Sequence, residues 1–245
     1  MREWINGRNP VYEVLRAARR QVFRLQIAQG VQEKGRLAEI ASLCQRGRIP
    51  IERPQRNQLD ARFPNNQGVA LEVSSYPYSD LVDMLALAEK RKEPPLLLIL
   101  DTLQDPQNLG TLLRTAEIVG VHGVLLPLRH TATVTPAVVH ASSGASEHLL
   151  ITQLNLAQAI ETLKREDVWV VGLEGDPAEA VPSDVRLDGP LALVVGSEGE
   201  GMRSLVRKSC DVLLRLPMRG HVESLNAAVA GSVALYLAWQ ARRWG

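Results

Sequence analysis

The sequence predicts an α/β protein with a mostly parallel sheet, preceded by a smaller α/β unit. From residue 95 onward, short continuous apolar runs alternate with helical patterns, as is typical of strands buried on both faces. Three of those runs pass directly into turns of small residues that open a helix. Before residue 75, helical and extended patterns alternate in a compact α/β unit. We therefore predict a first domain over 1–75, a linker and helix over 76–93, and a second domain over 94–245.

The first unit is predicted to contain two helices and three extended segments. Pro10 suits a helix start, and residues 22–28 alternate like a half-buried strand. The Pro- and Ser-containing segment 74–80 marks the end of the unit, and Ser79 is expected to cap the next helix, over 80–91. The predicted helices are 11–19 and 37–46, and the predicted strands are 22–28, 49–51 and 67–73.

The second unit follows a βα pattern to the end of the chain. Ligands of parallel α/β sheets sit at the carboxyl ends of strands, where loops and helix N-termini converge. We therefore expect the turns after residues 100, 195 and 216 to share one pocket. The predicted strands are 96–100, 123–127, 168–172, 191–195 and 212–216, and the predicted helices are 109–120, 137–142, 156–166, 203–209 and 225–243.

Composition is that of an ordinary globular protein, with 45% hydrophobic and 22% charged residues in a chain of 245. The charged N-terminal segment lacks the apolar stretch of a signal peptide. The longest apolar stretch, 225–239, is shorter than a bilayer span of about 20 residues. Only Cys44 and Cys210 are present, and neither has metal-ligand spacing. We expect a cytoplasmic protein with reduced thiols, no membrane segment and no metal.

The net charge of +1 conceals an asymmetry. Residues 1–62 hold 13 lysines and arginines against 6 acidic residues, a net charge of +7, and the remainder carries −6. A basic first quarter indicates either contact with a polyanion or a solvated arginine-rich surface.

The turns themselves contain a small set of polar residues. After the strand that ends at residue 100, Asp105-Pro106 forces a turn, Asn108 can cap the following helix, and Arg114 lies about a turn inside it. Caps and exposed arginines are often purely structural. The third turn places Ser224 and Asn226 at the start of a small-residue helix, where an N-cap is the commoner role for a serine such as Ser224.

Several enzyme classes are disfavoured. The segment GSEGEGM (196–202) lacks the GxGxxG spacing and the Walker lysine, and Glu198 and Glu200 would repel a pyrophosphate, which argues against an oxidoreductase or kinase. His221, Glu223 and Ser224 lie too near one another in sequence for a triad, and no GxSxG motif is present. A hydrolase is therefore a third choice.

Taken jointly and in order, these segments carry a resemblance. An acidic strand end (Asp101), NLGTLLRTA (108–116), GSEGEGM and a Pro-Met turn leading to SLN (224–226) resemble the SpoU (TrmH-like) RNA 2′-O-ribose methyltransferases of the SPOUT superfamily. INGRNPVYEVL (5–15) and NQGVALEV (66–73) resemble the accessory substrate-binding domain of that family. The two-domain form is most similar to the bacterial RlmB type, which methylates a guanosine of large-subunit ribosomal RNA. Two departures are Ala228 and Asn66, where the family often has Ser and His.

The resemblance implies a SPOUT-type, mostly parallel sheet with a C-terminal trefoil knot, a ribosomal-protein-like N-terminal domain and a homodimer. The implied cofactor is S-adenosyl-L-methionine, and the implied partner is RNA. Alternatives within the family are a tRNA 2′-O-methyltransferase and a catalytically silent RNA-binding relative. The site residues implied are Asn108, Arg114, Glu198, Ser224 and Asn226 for catalysis, Gly196, Leu216, Met218 and Leu225 for the cofactor, and Arg8, Asn9 and Arg114 for RNA. Arg16, Arg19 and Arg20 are compatible with a solvated helix face.

Overall fold

The computed structural model describes residues 2–174, 180–222 and 224–243. The chain divides into two compact units, and residues 133–148 belong with the first unit although they lie inside the predicted second domain. The domain prediction did not contain this insertion, and its boundaries stay a prediction.

The first unit is a four-stranded sheet with helices. Its strand order is β1-β4-β2-β3, with β4 antiparallel to both neighbours and β3 parallel to β2. Its elements are β1 (Arg2–Asn6), α1 (Arg8–Ala17), β2 (Val22–Ile27), α2 (Arg36–Arg46), β3 (Ile51–Glu52), α3 (Arg56–Arg62), β4 (Val69–Ser74) and, from the inserted segment, α6 (Pro136–Ala141) with a 3-10 turn (Ala145–His148).

A buried ion-pair network joins the inserted segment to the rest of this unit. The Arg20 guanidinium donates to both carboxylate oxygens of Glu147, at 2.9 and 2.8 Å, and to Glu3 at 2.8 Å. Both the Arg20 and Glu147 side chains are almost fully buried. The interpretation of Arg20 as part of a solvated helix face is therefore wrong, because α1 ends at Ala17 and Arg20 turns inward to an acidic partner far along the chain.

The second unit contains a six-stranded sheet in which every recorded pairing is parallel. Its strand order is β10-β8-β9-β5-β6-β7. Its elements are α4 (Leu81–Arg91), β5 (Leu96–Leu100), α5 (Pro106–Ile118), β6 (Gly123–Pro127), β7 (Ile151–Leu154), α7 (Leu156–Arg165), β8 (Trp169–Leu173), a 3-10 turn (Pro182–Asp184), β9 (Leu191–Val195), α8 (Ser204–Ser209), β10 (Val212–Leu214) and α9 (Ala227–Ala241).

The core of the second unit is aliphatic. Every residue of the two central strands, β5 and β9, is buried, and the adjoining apolar cluster includes Leu156, Ile160 and Leu163 of α7. The predicted α/β class with a mostly parallel sheet is confirmed. Within the part of the chain that is described, none of the helices has the length and hydropathy that a membrane span requires.

Two of the helix caps differ from those predicted. The N-cap of α4 is Asp80, which forms a capping box with Asp83, rather than Ser79. The N-cap of α5 is Asp105, whose carboxylate accepts from the Gln107 N–H at 3.0 Å, rather than Asn108. Pro106 at the first helical position starts the helix three residues earlier than expected, because its φ is already helical and it needs no N–H partner. Asn108 is thereby released for another contact.

Candidate active site

The turn after β9 is a closed loop of small residues. Ser197 and Gly201 exchange backbone hydrogen bonds of 3.0 and 3.1 Å, and Gly199 and Gly201 adopt positive φ angles. A Cβ atom at Gly196 would lie 2.3 Å from the Gly201 carbonyl carbon, so no side chain fits where the loop crosses itself. The loop therefore projects Glu198 from a backbone that only glycine at these positions permits.

The Glu198 carboxylate draws together the three predicted turns. Its Oε1 accepts from the Asn108 Nδ2 at 3.0 Å, from the Asn226 Nδ2 and from the Ala227 N–H at 3.3 Å. The Asn226 Nδ2 also donates to the Asn108 Oδ1 at 3.1 Å. Asn108 follows β5, Glu198 follows β9 and Asn226 follows β10, so one hydrogen-bonded cluster connects the carboxyl ends of three strands.

Asn226 also begins α9. Its Oδ1 accepts from the backbone N–H groups of Ala228 and Val229, at 3.0 and 3.2 Å. The alternative in which Ser224 is the N-cap is therefore wrong, and Ser224 instead lines a cavity. Glu223, considered above with His221 and Ser224, lies outside the described residues.

The first cavity lies beside this cluster and measures about 610 Å³. One wall is the loop of residues 196–201, and the other walls are the ends of β8 and β10 and the start of α9. Its lining is part apolar and part polar, which suits a ligand that has both an aromatic and a charged portion. All four predicted cofactor residues line it, namely Gly196, Leu216, Met218 and Leu225, as do Glu198, Ser224 and Asn226.

A second cavity of about 560 Å³ lies on the other side of the same loop. The two cavities share Ser197, Glu198 and Glu200 as a common wall. The second cavity is lined further by Asn108, His130, Arg203 and the segment 102–105. Two adjoining cavities divided by one loop provide separate places for two reactants.

Arg114 is the predicted catalytic residue that the structure does not bring to either cavity. It is exposed on α5, and it is absent from the described residues that line the two cavities. The neighbouring Thr115 hydroxyl contacts the Ser232 hydroxyl at 2.9 Å, which places this part of α5 against α9.

Arg8 and Asn9, predicted to bind RNA, lie at the start of α1 in the first unit. The Arg8 backbone N–H donates to the Gln67 side chain at 3.0 Å, and its Nε donates to the Gln67 carbonyl at 3.2 Å. Asn66 stabilises the turn that carries Gln67, because its Oδ1 accepts from the Gly68 N–H at 2.7 Å. The two segments that resemble the substrate-binding domain are thus adjacent, and Asn9 is exposed.

Several residues that line the two cavities were missing from the prediction, among them Leu173, Leu214 and His130. Leu173 and Leu214 line the first cavity and His130 the second. Leu173 ends β8, the neighbour of β9, and Leu214 ends β10, the next strand beyond β8, so strand order was the missing information. Neither cysteine is a candidate nucleophile, since burial raises the pKa of each thiol to about 12. The described residues contain no group of three or more His, Cys, Asp or Glu that could hold a metal.

Comparison with known proteins agrees with this geometry. The family model described as "SpoU rRNA Methylase family" matches residues 95–236, more than half of the chain. The chain belongs to the SpoU methylase family. A second model, described as "RNA 2'-O ribose methyltransferase substrate binding", matches residues 4–79, which include most of the first unit of this SpoU protein.

Relatives match the SpoU chain over nearly its full length. YacO of Bacillus subtilis (strain 168), whose name places it in the TrmH family of tRNA/rRNA methyltransferases, is 40% identical over 98% of this chain and 96% of its own. The 23S rRNA (guanosine-2'-O-)-methyltransferase RlmB of Pseudomonas putida is 38% identical over 98% of this chain and 97% of its own.

A solved structure shares the fold. The SpoU methyltransferase AviRb from Streptomyces viridochromogenes, crystallised in complex with the cofactor AdoMet, superimposes with a TM-score of 0.82. The match covers 100% of this chain and 92% of that one at 23% identity. At that identity the likeness establishes the fold of this SpoU protein.

Proposed function

We propose that this protein methylates a ribose 2′-hydroxyl of structured RNA, and that its substrate is a guanosine of large-subunit ribosomal RNA. Membership of the SpoU family supports RNA methyl transfer. The match to a 2′-O-ribose substrate-binding domain supports the sugar hydroxyl as acceptor. The near full-length relative named as a 23S rRNA guanosine methyltransferase supports the substrate class. The single observation that carries the proposal is the joining of three strand ends by Asn108, Glu198 and Asn226.

The first cavity fits S-adenosylmethionine. Its volume of about 610 Å³ accommodates a nucleoside with an amino-acid tail, and its walls offer both aliphatic side chains and loop backbone. Gly196 and its loop, Leu216, Met218 and Leu225 would hold the cofactor. When bound, the cofactor supplies an electrophilic methyl group on a sulfonium. Among the described residues that line this cavity there is no lysine or arginine that could bind a phosphate, in agreement with a cofactor that carries no phosphate.

The acceptor ribose is proposed to lie where the two cavities meet, at the wall formed by Ser197 and Glu198. Ser224 and Asn226 would orient the sugar, and Asn108 and Glu198 hold the loops in place through their hydrogen bonds. Alignment of the reacting groups in a rigid pocket supplies much of the acceleration of such a transfer.

Arg114 is proposed to act on the acceptor from the partner of a homodimer. A ribose hydroxyl titrates far above neutral pH, so its developing negative charge needs a fixed cation. A guanidinium stays protonated in proteins, so Arg114 would stabilise the alkoxide or grip the adjacent phosphate rather than remove the proton. Arg114 lines neither cavity of its own chain, which favours action across an interface.

An apolar face next to α5 supports the same dimer. Val229, Val233 and Tyr236 are spaced along one side of α9 and are each more than two-fifths exposed. Thr115 and Ser232 join α9 to the helix that carries Arg114. A second copy covering this face would bury the apolar residues and bring its own Arg114 near the cavities. The proposal includes a cytoplasmic location, where ribosomal RNA is found.

The decisive variant is Arg114→Ala. We expect methyl transfer to RNA to be abolished, while the dissociation constant for S-adenosylmethionine stays within about twofold of wild type, because the guanidinium stabilises charge only during transfer. Arg165→Ala, an exposed arginine on α7, is the matched control and should transfer normally. Wild-type turnover in Arg114→Ala would contradict the assignment.

Mixed dimers test whether the arginine acts across the interface. Arg114→Ala and Asn226→Ala subunits, each inactive alone, should regain activity when co-expressed, because one site of the mixed dimer has both residues intact. No recovery would indicate action within one chain.

Mapping of 2′-O-methyl groups in RNA from cells that lack the protein identifies the substrate. Loss of a ribosomal guanosine modification supports the proposal, and loss of a transfer RNA modification favours the tRNA alternative.

A further inference from the structure

Asp101 is a fully buried carboxylate at the carboxyl end of β5. It directly follows the last residue of the strand, and its backbone N–H donates to the Val195 carbonyl at 2.8 Å, which continues the ladder between β5 and β9. The side chain is in neither cavity lining, so it contacts no ligand there. Buried charges need a compensating partner, and Asp101 has one.

Both oxygens of Asp101 bind a single residue, Arg203. Its Oδ2 accepts from the Arg203 backbone N–H at 2.8 Å, and its Oδ1 accepts from the Nε at 2.7 Å and lies 2.7 Å from the Nη2. Charge-assisted, multidentate contacts of this kind fix geometry more strongly than neutral hydrogen bonds. Arg203 is therefore fixed through its backbone as well as through its side chain.

This contact connects the exit of the loop of residues 196–202 to β5. The loop starts at the end of β9, which is already paired with β5 through Leu100 and Val195. It ends at Arg203, which Asp101 ties to the same strand end. Both ends of the loop that divides the two cavities are thus tied to the end of β5, and Glu198 lies between the two ties.

We propose that Asp101 is a positioning residue for the cofactor loop. By fixing Arg203, it holds the Ser197–Gly201 closure and the Glu198 carboxylate against the first cavity. Without the carboxylate, the end of the loop at Arg203 is no longer fixed. Cofactor binding must then order the loop, and the entropy lost in doing so weakens the affinity. The inference rests on the proposed function for the identity of the ligand, and the contact itself does not depend on that identity.

Asp211 provides a matched control within the same unit. It has the same kind of contacts: its Oδ2 accepts from the Val170 N–H at 2.8 Å, its Oδ1 pairs with Lys164 at 2.8 Å, and its N–H donates to the Val170 carbonyl at 2.8 Å. Asp211 precedes β10, however, and belongs to neither cavity lining. Its loss should lower stability without altering the loop.

The test compares Asp101→Asn with Asp211→Asn in the full-length protein. For Asp101→Asn we expect the dissociation constant for S-adenosylmethionine to rise about tenfold, as for the loss of one charge-assisted hydrogen bond. We expect kcat at saturating cofactor to fall by a smaller factor, and the Ser197 and Gly201 amides to exchange hydrogen faster. Asp211→Asn should lower the melting temperature with cofactor affinity and loop exchange unchanged.

The outcomes separate the two hypotheses. Wild-type affinity and wild-type loop exchange in Asp101→Asn would overturn the positioning role. Equal losses of affinity in both variants would show that Asp101 contributes only to general stability, and would also overturn the positioning role. If the wild-type protein bound no S-adenosylmethionine, the proposed function would fail, while faster exchange confined to Asp101→Asn would still support the positioning role. Should Asp101→Asn not fold, Arg203→Lys, which keeps the positive charge, is measured in its place.

Discussion

The Asn226 side chain serves two structures at once. Its oxygen caps α9 by accepting from the Ala228 and Val229 N–H groups, and its nitrogen donates to Glu198 and Asn108. An amide is the side chain that can do both, since it carries an acceptor and two donors. Aspartate would keep the cap, but its second carboxylate oxygen would face the carboxylate of Glu198.

Replacement of Asn226 by alanine separates these two roles. We expect the free energy of unfolding to fall by about 1 kcal/mol, the usual effect of losing an N-cap, and methyl transfer to be lost because Glu198 and Asn108 are no longer held together. Asn155→Ala is the matched control, since Asn155 caps α7 through the Gln158 N–H. Chemical denaturation and a methyl-transfer assay should show similar destabilisation in both variants and lost transfer only in Asn226→Ala. Equal activity in the two would contradict the role of Asn226 in the site.

At the scale of single residues, the sequence predicted which residues belong to the site better than it predicted which residues they contact. Gly196 and Glu198 were identified because their spacing follows a family motif, and both line the first cavity. Asn108 was predicted to cap the helix that follows β5, yet Asp105 is the cap. The pairing of Asp101 with Arg203 was missed, because a contact between residues 101 and 203 depends on β5 and β9 being neighbours. Partners so far apart in sequence leave no local signal.

At the scale of elements, the contact between α9 and α5 depends on a glycine. A Cβ atom at Gly231 would lie 2.5 Å from the Leu112 Cδ2 and 3.1 Å from a Val195 methyl group, both buried. The small-residue helix predicted from the sequence therefore packs closely, as expected. This contact fixes α9, whose N-terminus carries Asn226.

Gly231→Ala should be destabilising, against the usual trend. In an open helix this change stabilises by about 1 kcal/mol, because glycine is a poor helix former. Here we expect a net loss of about 1–3 kcal/mol, from overpacking against Leu112. Leu112→Ala makes room, so the two changes should be strongly non-additive in a double-mutant cycle measured by denaturation. A stabilised single variant, or simple additivity, would show that the helices do not meet as described.

Which elements could be predicted depends on how much of their surface is buried. The strands β5, β6 and β9 are buried along their whole length and appear as continuous apolar runs. In contrast, β1, α3 and β7 were missed. The helix α3 has the polar sequence RNQLDAR with Leu59 as its buried residue, so no amphipathic period is visible. The strand β7 has only four residues, of which two are buried. Such short or polar elements form because the rest of the fold provides their partners.

At the scale of the whole molecule, the order of the strands and the segments that make up each unit depend on the tertiary structure, so local sequence patterns do not predict them. The strand order β10-β8-β9-β5-β6-β7 is not readable from periodicity, and the trefoil knot implied by the family stays a prediction. The same holds for the insertion of residues 133–148 into the first unit, which Glu147 secures by its buried pair with Arg20. A variant that removes only one partner of this pair would leave a buried charge uncompensated.

The charge asymmetry argues for RNA contact through the first unit, but its arginines are not equivalent. Arg20 is buried in its ion pair, and Arg24 is bound between Glu52 and Glu72. Arg8 instead starts α1 next to the exposed Asn9, with its guanidinium Nε on a backbone carbonyl rather than a carboxylate. We infer that the net charge of +7 in residues 1–62 overstates the number of phosphate contacts, and that Arg8 is one of the contacts that remain.

Salt dependence measures this difference directly. The logarithm of RNA affinity should fall linearly with the logarithm of salt concentration, because each phosphate contact releases counterions. Arg8→Ala should reduce that slope by roughly 0.7–0.9, the contribution of one contact, while Arg165→Ala in the second unit should leave it unchanged. Fluorescence anisotropy with a ribosomal RNA fragment between about 50 and 200 mM salt covers the useful range. An RNA affinity that does not change with salt concentration would contradict RNA binding by this surface. A steep slope that Arg8→Ala leaves unaltered would assign the phosphate contacts to other arginines of the unit.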